Sequence, residues 1–482
     1  MLWASAYLVA RNDHLRTFGA LVIGRNRPDL RENVERMGYN ALTRRPRVLA
    51  ILPGFIPSTQ LHIVKPLVAL HRAGWIEATI ALEHSVFPHS LERAEVVVFC
   101  RNTEPAYGWI LDFALARGKP VVYDLDDNFF ELPPTTDIGR YHRAPERLEQ
   151  LERYLKHAAL VRVYSETLLE RVGRLNPNAV KVDGPIDWNL IPSLPRRRDP
   201  NTIRIVYPTS RVEDELAKVF LDDVQRLLAV YDGRLEMCFW GYHPRELGGH
   251  PAVRFLPAIA NYDRFFQKFA RFGFDVGLAP LRDDLFHRSK TDVKFREYGA
   301  CGIAGVYSNV GSYATSVEHE VTGLLVSNQP GAWFDAVSRL VEDAGLRHLI
   351  QGRAREYVRN HYDLQWVQEV WCNQFQAVMV NGAGRSRSLA ARDNGGSAGV
   401  PGDCRLAPDV TNGMPVAKQA WARWANRARK VIDAFRQNGL PGALDRIRPS
   451  LHSLSMLLRI RVTLRFWSVL RRILPREASE RR

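Results

Sequence analysis

From Arg47 onward, the chain alternates short, continuously apolar segments with amphipathic ones. In the first half the apolar segments are RVLAILP, EVVVFCR, KPVVYDLDD and ALVRVYS, separated by helical stretches such as PERLEQLERYLKHA. Strands that are apolar on both faces and alternate with helices are typical of a parallel sheet covered by helices on both sides. The pattern therefore predicts an α/β domain of Rossmann-like order.

A second series of strands and helices follows the first. It begins at IRIVYPTS and continues through RLEMCFWG, VRFLPAI, FDVGLAPL, GIAGVYS and GLLVSN. The proline-rich stretch from Gly184 to Asn201 lies between the two series and indicates a hinge. We therefore predict two Rossmann-like domains facing a cleft, at residues 47–190 and 200–380, after an N-terminal appendage at residues 1–46. Neither series has G-x-G-x-x-G after its first strand, which disfavours a nicotinamide dehydrogenase.

Composition fits this organisation. A chain of 482 residues, 46% hydrophobic and 25% charged, is long enough for two core-bearing domains and a tail. Its five cysteines are scattered without a C-x-x-C pair, which favours reduced thiols in a cytoplasmic protein. No run reaches the ~18 apolar residues of a membrane span. The opening MLWASAYLVA lacks a basic n-region and is not predicted to be a signal peptide.

The net charge of +15 belongs mostly to the C-terminal tail. Residues 417–482 contain 16 Lys and Arg against 4 Asp and Glu, a net charge of +12, so the remaining chain carries only +3. Residues 381–416, which precede the tail, are rich in Gly, Ser and Asp without periodicity and are predicted to form a flexible linker.

The tail sequence predicts basic amphipathic helices. In the last of them Arg461, Arg465 and Arg472 lie opposite an apolar face: Met456, Ile460, Leu464, Trp467, Leu470 and Leu474. This pattern favours a helix lying on an anionic membrane surface, although a helix docked on the body or on a partner protein gives the same pattern. No recognised nucleic-acid-binding module is present, so a nucleic-acid partner is not predicted.

The stretch from Ser289 to Tyr313 carries the densest chemical signal. Ser289 and Asp292 have the spacing of a capping box, which predicts a helix starting at Ser289. On such a helix four side chains fall within an arc of about 60°: Lys290, Lys294, Glu297 and Cys301. Two cations and a carboxylate on one face suit a phosphorylated, hydroxyl-bearing ligand, although a solvated face with ordinary charge pairs gives the same spacing.

The residues after this predicted helix extend the signal. Gly302 is predicted to end the helix, and GIAGVYS to form a short buried strand. NVGSY can then open another helix at Gly311 and Ser312, whose free N–H groups would favour an anion.

These motifs resemble a known family. KFREYGACGIAGVYSNVGSY, EVTGLLVSN and the Trp-bearing helix GAWFDAVSRLVED are similar to the donor-binding half of the group 1 glycosyltransferases. The similarity covers roughly Arg47 to Val380. It implies the GT-B fold, a nucleotide-sugar donor on the second domain, an acceptor on the first, and usually retention of anomeric configuration. It also implies that the helix near Asp363 to Met379 packs back towards the first domain.

The resemblance gives roles to individual residues. A carboxylate at the Glu297 position holds the ribose hydroxyls of the donor in this family. Many members carry a second Glu eight residues earlier, near the sugar, where this chain has Ser289. Lys290 and Lys294 resemble a branch with Lys at both positions, and we assign them to the donor diphosphate together with Gly311 and Ser312.

Asp124, Asp126 and Asp127 follow a strand of the first domain in VVYDLDDNFF. Carboxylates there suit a divalent metal, an acceptor hydroxyl or a general base, and they also suit a turn with local capping. YDLDD recurs in the branch that this chain resembles, which favours a catalytic role for Asp126 and Asp127. GT-B enzymes generally need no bound metal, so neither a metal nor a cofactor is predicted.

Four further residues lie in loops predicted to face the cleft. Arg211 follows the first strand of the second domain, where the family places a basic residue near the diphosphate, and a guanidinium suits phosphate oxygens. Ser58 and Thr59 lie in the first loop of the first domain, and Arg101 lies at a strand end. His62, His71 and His142 receive no role beyond a structural one.

The sequence thus predicts a GT-B glycosyltransferase that moves a sugar from a nucleotide-diphosphate sugar to a glycan or lipid-linked acceptor in surface polysaccharide or glycolipid synthesis. Its predicted location is cytoplasmic, peripherally associated with the inner face of the membrane through the tail. The alternative is a catalytically inactive GT-B scaffold that binds a sugar nucleotide or glycan, which the absence of a carboxylate at Ser289 favours.

Overall fold

The structure is a computed structural model. It describes residues 45–192, 201–209 and 216–393 and the short strand Leu8–Val9, with side chains described in these ranges from residue 45 to residue 380. The predicted tail at residues 417–482, most of the linker and most of the N-terminal appendage lie outside the described residues, as does Arg211.

The first sheet follows from the apolar segments of the first half. Its strands are Leu8–Val9 (β1), Arg47–Leu52 (β2), Glu77–Leu82 (β3), Val96–Cys100 (β4), Val121–Leu125 (β5), Leu160–Val163 (β6) and Ala179–Lys181 (β7). They lie in the order β1-β3-β2-β4-β5-β6-β7. All neighbouring pairs are parallel except β1 and β3.

The second sheet is parallel throughout. Its strands are Ile203–Pro208 (β8), Leu235–Trp240 (β9), Val253–Leu256 (β10), Val276–Ala279 (β11), Ala304–Ser308 (β12) and Leu324–Val326 (β13). Their order is β10-β9-β8-β11-β12-β13. The α/β fold with two Rossmann-like domains is therefore confirmed.

Helices connect the strands in both domains. Those of the first domain are Pro57–Thr59 (α1), Lys65–Ala73 (α2), Pro88–Arg93 (α3), Gly108–Ala116 (α4), Asp137–His142 (α5), Pro145–His157 (α6) and Glu166–Gly173 (α7), with a π-helical turn at Gln60–Val64. Those of the second are Leu221–Val230 (α8), Tyr262–Phe272 (α9), Leu285–Arg288 (α10), Val293–Cys301 (α11), Ser312–Ser316 (α12), Ala332–Glu342 (α13) and Ala344–His361 (α14).

Each sheet is covered by apolar side chains on both faces. On β2, Leu49 and Ile51 join the cluster on one face, and Val48 and Ala50 join the cluster on the other. This alternation explains why the strand sequences are apolar at every position rather than at every second one, because neither face meets water.

The last described helix, Leu364–Asp393 (α15), returns from the second domain to the first. Val367, Trp371 and Phe375 pack in the same cluster as the residues of β2 and β4. The Arg162 guanidinium of β6 lies 3.6 Å from the Trp371 ring and donates a hydrogen bond to Gln374. The predicted return of this helix to the first domain is confirmed.

None of the helices among the described residues combines the length and the apolar character needed to cross a membrane.

Candidate active site

Both sheets reverse their strand order at one position. In the first domain the chain runs from β2 outward to β3 and then crosses to β4 on the other side of β2; the second domain reverses in the same way at β8 and β11. The carboxyl ends of the strands beside such a reversal form the crevice in which α/β proteins bind ligands. The segments after β4, β5 and β11 carry most of the predicted site residues.

Of the three aspartates predicted to follow a strand, Asp124 lies within β5, and Asp126 and Asp127 follow it. Asp124 is fully buried and accepts hydrogen bonds from Arg162 Nε at 3.0 Å and from the Tyr164 hydroxyl at 2.8 Å. Burial raises the pKa of Asp124 to about 6, against the opposing effect of Arg162. Asp126 and Asp127 instead accept hydrogen bonds from the Arg101 guanidinium. Asp124 is therefore part of the core, whereas the other two carboxylates share a cation.

Arg101 occupies an uncommon backbone conformation. Its φ of 63° lies in the left-handed region, which costs a non-glycine residue on the order of 1 kcal/mol or more and often marks a functional site. Its neighbour Asn102 holds the turn in place. The side-chain amide of Asn102 donates a hydrogen bond to the Glu83 carboxylate at 2.8 Å, and its backbone carbonyl accepts one from the Tyr123 hydroxyl at 2.8 Å. The turn thus directs the Arg101 side chain towards Asp126.

The contribution of Glu83, which contacts Asn102 in this turn, to the free energy of unfolding depends on pH. Burial raises the pKa of Glu83 from 4.5 to about 7. The folded state therefore binds this proton more tightly than the unfolded chain, and the stabilising contribution of Glu83 falls as pH rises from about 4.5 to about 7. We expect Glu83→Gln, which retains hydrogen bonding to Asn102, to raise the free energy of unfolding at pH 8 by up to about 3 kcal/mol and to change it little at pH 4. Thermal unfolding at both pH values measures this, and an equal change at both would contradict it.

The acidic turn contacts the second domain through Lys290. The Lys290 ammonium lies 2.5 Å from Asp127 Oδ1, and the Arg101 guanidinium lies 3.0 Å from Asp127 Oδ2. Burial alone would raise the pKa of Asp127, but Lys290 and Arg101 together hold it well below its usual value. Asp126, Asp127, Arg101 and Lys290 therefore form one charged cluster across the two domains.

Ser289 makes further contacts across the same boundary. Its hydroxyl accepts a hydrogen bond from Asn128 Nδ2 at 3.1 Å and donates to the Leu285 carbonyl at 2.7 Å. Its own carbonyl accepts from the Ser165 hydroxyl at 2.8 Å. Ser289 is fully buried, so the longer side chain of Glu would not fit here without displacing these contacts.

The helix predicted to start at Ser289 begins four residues later. α11 starts at Val293 after Asp292, and Ser289 is the C-cap that follows the short helix α10, so the capping-box prediction is wrong. The Asp292 carboxylate accepts from Arg296 Nε at 2.8 Å instead of capping the helix. Lys290 therefore precedes the helix, and the residues of the predicted face that lie on it are Lys294, Glu297 and Cys301.

Glu297 and Lys294 form a pair on α11. The Lys294 ammonium lies 2.8 Å from Glu297 Oε2; the Glu297 side chain is 2% exposed and that of Lys294 is 22% exposed. Gly302 ends the helix with a φ of 66°, as predicted. The pair therefore joins a carboxylate inside the domain to an ammonium group that is partly exposed to solvent.

Gly311 and Ser312 lie beside the Lys290 segment. Gly311 has a φ of 56°, and a Cβ there would lie 2.7 Å from the carbonyl oxygen of Arg288, so the position requires glycine. Ser312, the first residue of α12, donates its hydroxyl to the Lys290 carbonyl. The structure thereby brings Lys290, Gly311 and Ser312 together.

The remaining predicted residues of the first-domain loop, and two of the histidines without an assigned role, make local contacts in the first domain. Thr59 Oγ1 donates to the Gly54 carbonyl at 2.7 Å within the turn, and Ser58 beside it is half-buried. His71 Nδ1 accepts from the Ala78 amide at 3.3 Å. Burial lowers the pKa of His142 to about 4, and its Nδ1 lies 3.2 Å from the Thr103 hydroxyl.

His62 is a residue whose position the sequence did not predict. It lies in the π-helical turn after β2, is 2% exposed, and packs against the Tyr164 ring at 4.0 Å between centroids. Asp126 and Arg296 both act on it electrostatically, one from each domain. A single His in an apolar helical stretch gives no signal of this placement, since π turns are not visible in hydrophobic periodicity.

Among the residues with described side chains, no group of three or more His, Cys, Asp or Glu is arranged to hold a metal ion.

The protein has two Rossmann-like domains whose strand-order reversals lie at a shared boundary, and its last described helix returns to the first domain. These features define the GT-B fold. Residues 204–343, within the second domain, match the family model described as glycosyl transferases group 1. The predicted family resemblance and the predicted class of enzyme are confirmed by this match. No curated protein sequence matches the chain.

Solved structures with the same fold include two of Anabaena Alr3699/HepE. The one in complex with UDP and glucose is 14% identical, covers 69% of this chain and 100% of its own, and has a TM-score of 0.51. The one in complex with UDP-glucose is 14% identical, covers 68% and 99%, and has a TM-score of 0.50. At this identity the likeness concerns the fold, and it confirms the predicted fold class.

Proposed function

We propose that the protein transfers a sugar from a nucleotide-diphosphate sugar to a glycan or lipid-linked acceptor, with retention, in surface polysaccharide or glycolipid assembly. The observation that carries the proposal is the pair of the buried Glu297 and the partly exposed Lys294 within the segment that matches the family model. The UDP and UDP-glucose in the Anabaena structures support a nucleotide-sugar donor.

In the proposed site the second domain binds the nucleotide. Glu297 accepts hydrogen bonds from the ribose hydroxyls, and Lys290 and Lys294 bind the diphosphate together with the Gly311–Ser312 segment. As the bond to the sugar breaks, negative charge develops on the departing diphosphate. Fixed cations stabilise that charge without a metal ion, because they are oriented before the reaction begins.

The first domain provides the acceptor side. A carboxylate whose pKa lies well below neutrality stays ionised and is a weak general base, so Asp127 orients the acceptor and balances Lys290 rather than taking a proton. Asp126 pairs with the same Arg101 guanidinium as Asp127, and it is the candidate for contact with the acceptor hydroxyl.

The lysines provide a direct test of the donor site. We expect Lys294→Ala and Lys290→Ala each to weaken binding of a nucleoside diphosphate by 10- to 100-fold, because a hydrogen bond to a charged group contributes about 1.5–3 kcal/mol. Binding of the bare nucleoside should change less than threefold. Lys268→Ala, at an exposed position on α9, is the matched control. Equal losses for nucleoside and nucleoside diphosphate in calorimetric titrations would remove the lysines from the phosphate site.

A catalytically inactive scaffold is the second candidate. The absence of a carboxylate at Ser289, which is enclosed by Asn128 and Ser165, favours it. A scaffold would bind sugar nucleotides without releasing the nucleoside diphosphate, whereas an active transferase would slowly release it to water.

The tail is proposed to hold the enzyme at the cytoplasmic face of an anionic membrane, where a lipid-linked acceptor would lie. Its charge of +12 and the apolar face ending in Trp467 and Leu474 support this location. We expect the full chain to sediment with vesicles containing anionic lipid, and binding to weaken as salt rises. A chain ending at Asp393 should lose this binding and retain nucleotide binding. Equal sedimentation of both chains would show that the tail is not the anchor.

A further inference from the structure

The π-helical turn Gln60–Val64 belongs to the first domain and contacts both domains at the strand-order reversal of the first sheet. It follows β2, and two of its side chains enter different cores: Leu61 packs with the second-domain cluster and Ile63 with the first-domain cluster. A π turn accommodates an additional residue within a helix and is frequent at functional sites. His62 lies between these two anchors.

Polar contacts hold this turn against the second domain. Gln60 Nε2 donates to the Ala260 carbonyl at 3.1 Å, and Gln60 Oε1 accepts from the Tyr262 amide at 3.0 Å. The Lys65 ammonium, one residue after the turn, lies 2.7 Å from Asp263. The position of His62 between the domains is therefore fixed by neighbours on both sides.

The His62 imidazole has unused hydrogen-bonding capacity. Its Nδ1 is buried and has no hydrogen-bond partner, and a buried polar atom left in this state costs about 1–3 kcal/mol. Burial lowers the pKa of His62 to about 3, with Asp126 opposing and Arg296 and Arg101 reinforcing the shift. The ring is thus neutral at pH 7 and offers one donor and one acceptor.

Asn128, in the segment after β5, also has a buried side-chain atom without a hydrogen-bond partner. Its Nδ2 donates to Ser289, while its Oδ1 is buried without a hydrogen-bond partner. Asn128 follows Asp126 by two residues, and Asp126 is the acid that acts most strongly on His62. His62 is thus within electrostatic range of Asp126, and Asn128 directly follows Asp127 in sequence; both aspartates belong to the charged cluster between the domains.

The chemistry of these groups differs from that of the phosphate side. Neutral imidazole and amide groups exchange single hydrogen bonds with hydroxyls, whereas phosphate is bound by cations such as Lys290 and Lys294. We propose that His62 and Asn128 bind the hydroxyl groups of the sugar carried by the donor. This inference rests on the proposed nucleotide-sugar site and makes both residues determinants of sugar specificity.

Comparing each sugar nucleotide with its own nucleoside diphosphate separates the sugar contacts from the nucleotide contacts. The probes are UDP-glucose, UDP-N-acetylglucosamine and GDP-mannose against UDP and GDP, with dissociation constants measured on the full chain. The variants are His62→Phe, which keeps the ring packing on Tyr164, and His62→Asn, which places a polar atom near the site of Nδ1. His84→Asn, at an exposed position after β3, is the control.

For the sugar nucleotide that wild type binds more tightly than its nucleoside diphosphate, we expect His62→Phe to weaken binding at least fivefold and to leave nucleoside diphosphate binding unchanged. His62→Asn should stay within threefold of wild type. Asn128→Ala should repeat the selective loss, which keeps the inference testable if His62→Phe does not fold. Unchanged binding in His62→Phe and Asn128→Ala, or equal weakening of both ligand types, would overturn the inference. Absence of nucleotide binding in wild type would instead overturn the proposed function.

Discussion

Replacing Glu297 by Gln is expected to lower donor affinity and turnover together, by tenfold or more in kcat/KM, while the protein stays folded. The carboxylate is 2% exposed and lies 2.8 Å from Lys294, so the charge is held in one geometry for a ligand hydroxyl. A lost hydrogen bond to a charged group costs about 1.5–3 kcal/mol, and Gln preserves the volume of the side chain. Donor titration and initial rates measure both parameters.

The control for this substitution is Glu356→Gln. Glu356 lies on α14 with its side chain 64% exposed, and its removal should change neither parameter measurably. Wild-type kinetics in Glu297→Gln would remove Glu297 from the site.

Replacing Arg101 by Met should abolish most activity and lower the free energy of unfolding by about 3 kcal/mol or more. Removing one partner of a buried ion pair leaves the other charge unpaired in a poorly solvated position. Here two carboxylates, Asp126 and Asp127, would lose their shared guanidinium, which is 11% exposed. Denaturant unfolding and donor turnover provide the two readouts.

A double variant separates stability from activity in this cluster. Arg101→Met with Asp126→Asn removes the unpaired charge, so part of the lost stability should return while activity stays low. Arg140→Met, which removes an exposed pair with Asp137, should cost less than about 0.5 kcal/mol and serves as the control. An unchanged free energy of unfolding in Arg101→Met would show that the cluster does not stabilise the boundary between the domains.

Four strands of the first sheet and all six of the second were predictable because most of them are buried on both faces, whereas β1, β3 and β7 were not predicted; β3 was missed because Glu77 and Thr79 interrupt its apolar sequence. Residues such as Val48 and Leu49 are apolar in succession, and only a doubly covered parallel strand requires that pattern. The end of α11 at Gly302 was predictable for an equally local reason, since a left-handed C-cap favours glycine. The start of the same helix was not predictable, because the Asp292 carboxylate is bonded to Arg296 one turn later and, through tertiary contacts, to Ser316 and Tyr362.

The candidate site was predictable only where its residues are close in sequence. Lys294 and Glu297 were placed together by helical spacing, and they form a pair. The charged cluster joins distant segments: Arg101 and Asp126 are 25 residues apart, and Asp127 and Lys290 are 163 residues apart. No local sequence pattern indicates such contacts. It depends on the parallel strands ending at one edge and on the two domains meeting there.

The most direct test of a nucleotide-sugar transferase is the release of nucleoside diphosphate from sugar nucleotides by the purified full chain. A panel of UDP-, GDP-, ADP- and dTDP-linked sugars should give slow release from at least one donor in water alone. That release should fall tenfold or more in Glu297→Gln and stay unchanged in Glu356→Gln. Binding of a donor without any release would support the inactive scaffold. Neither binding nor release across the panel would contradict the proposed function itself.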